Sequence, residues 1–305
     1  MTLKLNDIHT IVGKVDNINQ GSTFTNINVI LEDQKSKNIK LDNVSLDDLY
    51  VGKLYQFDVI VEARNDTDLY LQCQKYQPVE AVFTEDQLQP LYETFYTYAP
   101  VPLKTIKKTI EAYLKKIKHP VIRAIVDEIY NKQKHAFYTH PAATKFHHAY
   151  VGGLAYHTMT MLKIADGFYD IYPYLDASLM IAGIVLHDMS KISEMTGVDG
   201  EYTKEGLLIG HLVMEAIDID RTYHQLKLDD PETLLLLKHM MLSHHGLPNF
   251  GAAKRPQTPE ALLLWYIDTI DSKFTVLGEE LDKTKSGSFT THLAVLDKQK
   301  FYKKS

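Results

Sequence analysis

Fourteen histidines against a single cysteine define the chemistry open to this 305-residue chain. The histidines are unevenly placed: only His9 precedes residue 119, and nine fall between His147 and His245. Imidazole nitrogens and carboxylate oxygens with no thiolate among them suit manganese, iron, cobalt or zinc better than magnesium. The lone Cys73 excludes an intramolecular disulfide and any zinc site built on two or more thiolates.

Helical spacing decides which of these groups point inward. The apolar pattern predicts helices over Val121–Lys134, Gly153–Phe168, Ala177–Asp188, Gly206–Ile219, Pro231–His245 and Pro259–Leu277. Within them His157 lies three residues after Leu154 and four before Met161, on the buried stripe. His187-Asp188 ends an apolar run, His211 follows Gly210, His244 and His245 continue the inward face begun by Leu237 and Met241, and Asp268 lies four after Leu264. Five helices thus each aim a histidine or aspartate at the interior. A lone histidine on an apolar stripe is ordinarily a hydrogen-bonded core residue. Repeated over five helices, that reading leaves several imidazoles and two carboxylates in need of partners. Divalent cations satisfy them together, and a set larger than four suggests two ions with Asp188 as a bridge.

The elements around this set divide the chain. Residues 1–80 mix β-branched, aromatic and polar residues with partial alternation over Ile8–Val15, Phe24–Leu31 and Leu54–Val61, punctuated by Gly13, Gly21, Asn43, Gly52 and Asn65-Asp66. That predicts about five strands in a sandwich or barrel. Residues 81–102 read as a connector holding Pro90, Pro100 and Pro102, with a short helix over Glu85–Tyr96. From Leu103 to residue 305 the pattern is helical, beginning with the stripe Leu103, Ile106, Ile110, Leu114 and Ile117. Asp230 before Pro231 and Thr258 before Pro259 are predicted N-caps with proline opening the helix, and Gly246 is a predicted stop. The fold class is therefore a small all-β domain followed by a larger all-α domain.

Charge limits the partners. The net charge is −6, which excludes a globally basic protein, and residues 1–80 carry 8 basic against 12 acidic residues. Residues 101–145 reverse this, with ten basic residues against Glu111, Asp127 and Glu128, and with Tyr113, Tyr130, Phe137, Tyr138 and Phe146 interleaved or adjacent. This stretch is either a solvated helix face or a surface for a polyanion. No apolar run reaches the roughly 18 residues of a membrane span, and the first residues lack a signal-peptide pattern. The expectation is a cytoplasmic protein without a membrane partner.

The ordered motifs HHAYVGGLAYHT (147–158), AGIVLHDMSKI (182–192), YTKEGLLIGH (202–211), MLSHHG (241–246) and LLWYIDTIDSK (263–273) resemble the HD-domain phosphohydrolases, an all-α superfamily. They are closest to the YhaM-type 3′→5′ exoribonucleases, in which an OB-fold precedes an HD domain. The resemblance covers residues 90–302. Ser190 stands where that family usually has glycine, and residues 1–80 lack its usual aromatic and glycine pattern. The resemblance implies an OB-like β-barrel over 1–80 with a nucleic-acid role, and an HD domain over 103–305.

It further implies a two-metal centre held by His157, His187, Asp188, His211, His244, His245 and Asp268, with manganese first and iron, cobalt or zinc as alternatives. A metal-activated water would attack the terminal phosphodiester of single-stranded RNA, with single-stranded DNA as a further substrate. Lys191, beside Asp188, would offset charge in the transition state. His147 and His148 would contact the substrate phosphate or 3′ end, or else be loop histidines. His224, His239 and His292 read as structural or surface residues. Three alternatives stand beside this: an HD enzyme acting on nucleotides or cyclic dinucleotides, a non-catalytic single-strand-binding factor, and a structural metal site. Assembly into a homo-oligomer is open.

Overall fold

The computed structural model describes residues 4–305 apart from Thr23, Asn43, Val44, Asp47, Arg64, Asp66, Thr67 and residues 145–147. The expectations placed on Asn43, Asp66, Lys145, Phe146 and His147 lie outside the described residues. Two compact units emerge, one of residues 1–98 with 196–201, the other of residues 99–195 with 202–305.

The first unit is a closed five-stranded barrel of β1 (Ile8–Gln20), β2 (Thr25–Ile30), β3 (Ser36–Lys40), β4 (Leu54–Ala63) and β5 (Leu69–Pro78), in the order β1-β2-β3-β5-β4. Every pairing is antiparallel except β3 with β5. The long β1 pairs with both β2 and β4, and its register shift between Val15 and Asn17 is the bulge that lets one strand serve two partners. Alternation sets the inner face: Tyr55, Phe57, Val59 and Val61 on β4 meet Ile27, Val29, Ile39 and Leu71 in the core. Helix α1 (Glu85–Phe95) joins this unit through Phe95, with Leu88 and Leu91, against Leu54 and Val79. In the 196–201 segment, Asp199 pairs with Lys14.

The second unit is helical: α2 (Leu103–Leu114), α3 (Pro120–Phe137), α4 (Gly153–Tyr169), α5 (Ala177–Leu186), α6 (Lys191–Glu194), α7 (Lys204–Leu208), α8 (His211–Gln225), α9 (Pro231–Ser243) and α10 (Pro259–Lys283), with a terminal hairpin of β6 (Ser288–Phe289) and β7 (Tyr302–Lys303). Helix α5 is apolar all round and buried from Leu179 to Leu186, which makes it the central rod. Helices α3, α4, α9 and α10 pack on it. Its start is fixed twice, by the Asp176 side chain accepting from the Leu179 N–H and by the Asp176 N–H donating to Glu260 at the head of α10. The predicted caps Asp230 and Thr258 accept from the Thr233 and Ala261 amides. One expectation is corrected. The single helix over Gly206–Ile219 is two helices, α7 and α8, because Gly210 at φ 77° and ψ 152° occupies a region that only glycine adopts without strain. No helix among the described residues is long and apolar enough to cross a membrane.

Candidate metal centre

Five elements of the helical unit deliver the site. Helix α4 brings His157, the turn after α5 brings His187 and Asp188, α8 opens on His211, the end of α9 brings His244 and His245, and the middle of α10 brings Asp268. Asp188 lies at the centre. Its Oδ2 is 3.3 Å from His187 Nε2 and 3.9 Å from His157 Nε2, while its Oδ1 is 3.3 Å from His211 Nε2 and 3.8 Å from His244 Nε2. Asp268 Oδ1 lies 3.3 Å from His157 Nε2. Three clusters with metal-ligand geometry lie here among the described residues: His157, His187 and Asp268 on one side of the aspartate, His211, His244 and His245 on the other, and His148, His157 and Asp271 behind the first. All seven residues named from the sequence are thus brought together.

The tautomer of each imidazole follows from what its other nitrogen meets. A carbonyl oxygen can only accept, so Nδ1 of His187 donates to Ile184, that of His244 to Met241 and that of His245 to Phe250, each at 2.8 Å. Carboxylates do the same for the others: His211 Nδ1 donates to Glu194 at 2.9 Å and His157 Nδ1 to Asp271 at 2.6 Å. The Nε2 lone pairs of these rings are thereby directed toward the cluster, the arrangement a metal-ligating histidine requires. Buried polar atoms are costly without partners. Yet His187 Nε2, His211 Nε2, His244 Nε2 and Asp188 Oδ1 are buried and have none among the described residues. Nitrogen and carboxylate donors, orphaned together, fit divalent cations.

Electrostatics agree with the geometry. Burial disfavours the Asp188 carboxylate, but His187, Lys191 and His211 outweigh it and hold its pKa well below the usual range. Asp268 is lowered in the same way, its burial outweighed by His157 and His187. His157 is the exception: burial opposes its protonation, but bonds to Asp268 and Asp271 raise it to about 10, so without a cation its Nε2 carries a proton toward Asp268 that a bound ion would have to displace. Burial, with His187 and His245 nearby, pushes His244 well down and favours its neutral, ligating form. Lys191 Nζ sits 2.8 Å from Asp188 Oδ2, and that carboxylate outweighs burial to keep the ammonium charged. The Asp268 and Lys191 side chains keep 19% and 15% of their surface exposed, and His245 is half-buried, so the centre opens on their side.

Of the two readings of His148, the structure favours the loop histidine over the substrate contact. It is wholly buried, donating from Nε2 to Asp271 at 2.7 Å and accepting at Nδ1 from the Tyr150 hydroxyl at 2.8 Å. A ring with both nitrogens committed has nothing left for a phosphate, so it stands behind His157 and not at the substrate. The loop reaches this position because Gly153 has no side chain: a Cβ there would meet the His148 carbonyl oxygen at 2.0 Å. His224, His239 and His292 lie apart: His239 Nε2 accepts from the Gln257 N–H, and His292 Nδ1 donates to the Lys298 carbonyl. Three acids went unread in the sequence. Asp271 lies three residues past Asp268 on the same inner face, a spacing that could have exposed it. Glu194 bonds both the Nδ1 and the backbone N–H of His211, thereby capping α8. Glu215 is buried on α8 and accepts from the Ser190 hydroxyl at 2.6 Å; burial pushes its carboxyl up to about 8.

No protein-family model matches the chain. Curated relatives do. It is 39% identical over 212 residues to the 3′-5′ exoribonuclease YhaM of Bacillus licheniformis, covering 69% of this chain and 67% of the relative. Identity is 38% over the same length, with the same shares, to the YhaM of Bacillus subtilis. With that of Bacillus pumilus it is 37% over 230 residues, covering 75% of this chain and 72% of the relative. Identity of this depth, over more than two thirds of both partners, places the chain in the family of the YhaM 3′-5′ exoribonucleases.

Proposed function

We propose that this chain is a metal-dependent 3′→5′ exoribonuclease built on an HD phosphohydrolase domain, releasing nucleoside monophosphates from single-stranded RNA, with single-stranded DNA as a further substrate. What supports this most is the set of buried, partnerless Nε2 atoms on both sides of one carboxylate, His187 facing Asp188 Oδ2 and His211 and His244 facing Oδ1. His157, His187 and Asp268 would hold one cation and His211, His244 and His245 a second, with Asp188 between them. Manganese is the first choice, and iron, cobalt and zinc share the donor preference. When bound, such cations supply Lewis acidity, readying water for attack and neutralising phosphate charge.

The chain's own residues contribute the rest. Lys191 sets a fixed positive charge at the open side of the site, where the scissile phosphate enters. Asp271 and Glu194 hold His157 and His211 in the tautomer that faces the cluster. For the strand upstream of the scissile bond, α2 offers a basic face. Lys104 and Lys108, and Lys116 just past its end, recur along one face of it, together with Thr105, Thr109, Ala112 and Tyr113. Helix α2 runs parallel to α4: the Ala99 N–H donates to Val151 at one end, and Lys116 pairs with Asp166 at the other, both at 3.0 Å. The Lys104 end therefore lies at the end of α4 that carries His157. The acidic barrel would hold RNA by stacking and not by charge, on exposed aromatics such as Phe24 and Tyr50.

The test is Asp188→Ala with an end-labelled single-stranded oligoribonucleotide and added Mn²⁺. The variant is expected to bind the strand while releasing no nucleoside monophosphate. Hydrolysis at the wild-type rate by Asp188→Ala would remove the metal-centre reading, and a wild-type protein that liberates only internal fragments would remove the exonuclease reading.

A further inference from the structure

The groups described above account for every ligand, but not for the Ser190–Glu215 pair. Ser190 follows Asp188 by two residues, and Glu215 follows His211 by four, one turn along α8 on the same inward face. Both are buried, at 4% and 1% exposure. The Ser190 hydroxyl donates to Glu215 Oε2 at 2.6 Å, the Ser190 backbone N–H also bonds that carboxyl, and Glu215 Oε1 has no partner among the described residues. A buried carboxyl kept with half its capacity unmet is expensive for a fold. Simple packing would be better served by leucine or methionine.

Connectivity explains its retention. The turn bearing Ser190 carries Asp188, and the helix bearing Glu215 begins with His211. Asp188 Oδ1 and His211 Nε2 stand 3.3 Å apart with no covalent link shorter than the 22 residues between them. Glu194 fixes the aim of the His211 ring, and apart from the Asp188–His211 contact itself the Ser190–Glu215 bond is the side-chain link between the Asp188 turn and α8 among the described residues. From this we infer that Glu215 is a positioning residue: through Ser190 it sets the separation of Asp188 from His211 and so the metal affinity of that side of the centre. The inference rests on the metal-centre reading above. It is distinct from it, because Glu215 belongs to none of the candidate ligand clusters.

The experiment titrates metal-free protein with Mn²⁺ alone, read by calorimetry, for wild type, Glu215→Leu, Glu215→Gln and Ser190→Ala. Orienting partners of metal ligands typically govern affinity by 10- to 100-fold. Glu215→Leu is accordingly expected to bind Mn²⁺ at least about tenfold more weakly while its metal-free form melts no lower than wild type. Glu215→Gln keeps an acceptor for Ser190 and should stay within about threefold of wild type; Ser190→Ala should fall between the two. A purely structural role would move melting temperature and leave affinity alone. Wild-type affinity in both Glu215→Leu and Ser190→Ala overturns the inference and leaves the metal centre standing. A Glu215→Leu protein that fails to fold passes the decision to Ser190→Ala, which deletes only the hydroxyl. Failure of the wild-type protein to bind Mn²⁺ removes the metal-centre reading and this inference with it.

Discussion

Asp271 shows how a single side chain can matter without touching a reacting atom. Its Oδ2 accepts from His157 Nδ1 at 2.6 Å and from His148 Nε2 at 2.7 Å, and those bonds, outweighing its burial, hold its carboxyl far below the usual range. Asp271→Asn keeps an acceptor but removes the charge that makes His157 a strong donor to a metal. Mn²⁺ affinity should fall by about 10- to 100-fold, measurable by calorimetry on folded protein. Glu215 gives the pH counterpart. Its folded-state pKa of about 8 lies above the roughly 4.3 of an unfolded glutamate. The proton is held more tightly when folded, so this group's contribution to stability is complete below about pH 4.3 and is lost as pH rises through about 8. In metal-free protein, wild type should therefore lose more stability than Glu215→Gln between pH 5 and pH 8, measured by urea unfolding at both.

At the scale of elements, the site is a meeting of helix ends. Three of the proposed ligand positions sit at a boundary: His187-Asp188 just past α5, His211 at the first residue of α8, and His244-His245 just past α9. Gly210 makes one of those boundaries, and Gly210→Ala should cost about 1–3 kcal/mol, the range for a residue forced into such a conformation, in denaturant unfolding. The same boundary marks the limit of what periodicity revealed. The helices bearing His157 and Asp268 were legible because their apolar residues recur every three or four positions toward one core. Leu207, Leu208 and Ile209 continue that pattern into His211, yet Leu207 and Leu208 are 72% and 75% exposed, so the apolar run that suggested one helix is not a buried face. Glu194 lies in a helix of four residues, too short for any period, and Glu215 shares α8 with Asp218 and Asp220, which leaves it no distinguishing signal. The barrel was legible from alternation in β1, β2 and β4; β3, SKNIK, offers only Ile39 to the core and had no signal of its own.

Over the whole molecule, charge is divided between units, and RNA binding should follow the division. Lys104, Lys107, Lys108 and Lys115 are exposed on and just after α2, whereas Lys116 is engaged by Asp166 and lies over the Tyr113 ring. Changing those four exposed lysines to glutamate should weaken oligonucleotide binding and flatten its dependence on salt concentration, by filter binding at several KCl concentrations; unchanged affinity would leave α2 a solvated face. The order of ligands along the chain has a consequence for synthesis. The imidazoles of His187, His244 and His245 are tethered by carbonyls three to five residues away, so their aim is set by local backbone. Asp268 and Asp271 arrive last, on α10. On the proposed ligand set, a polypeptide ending before residue 259 would lack both Asp268 and the Asp271 acceptor that orients His157, so an unfinished copy would hold an incomplete centre.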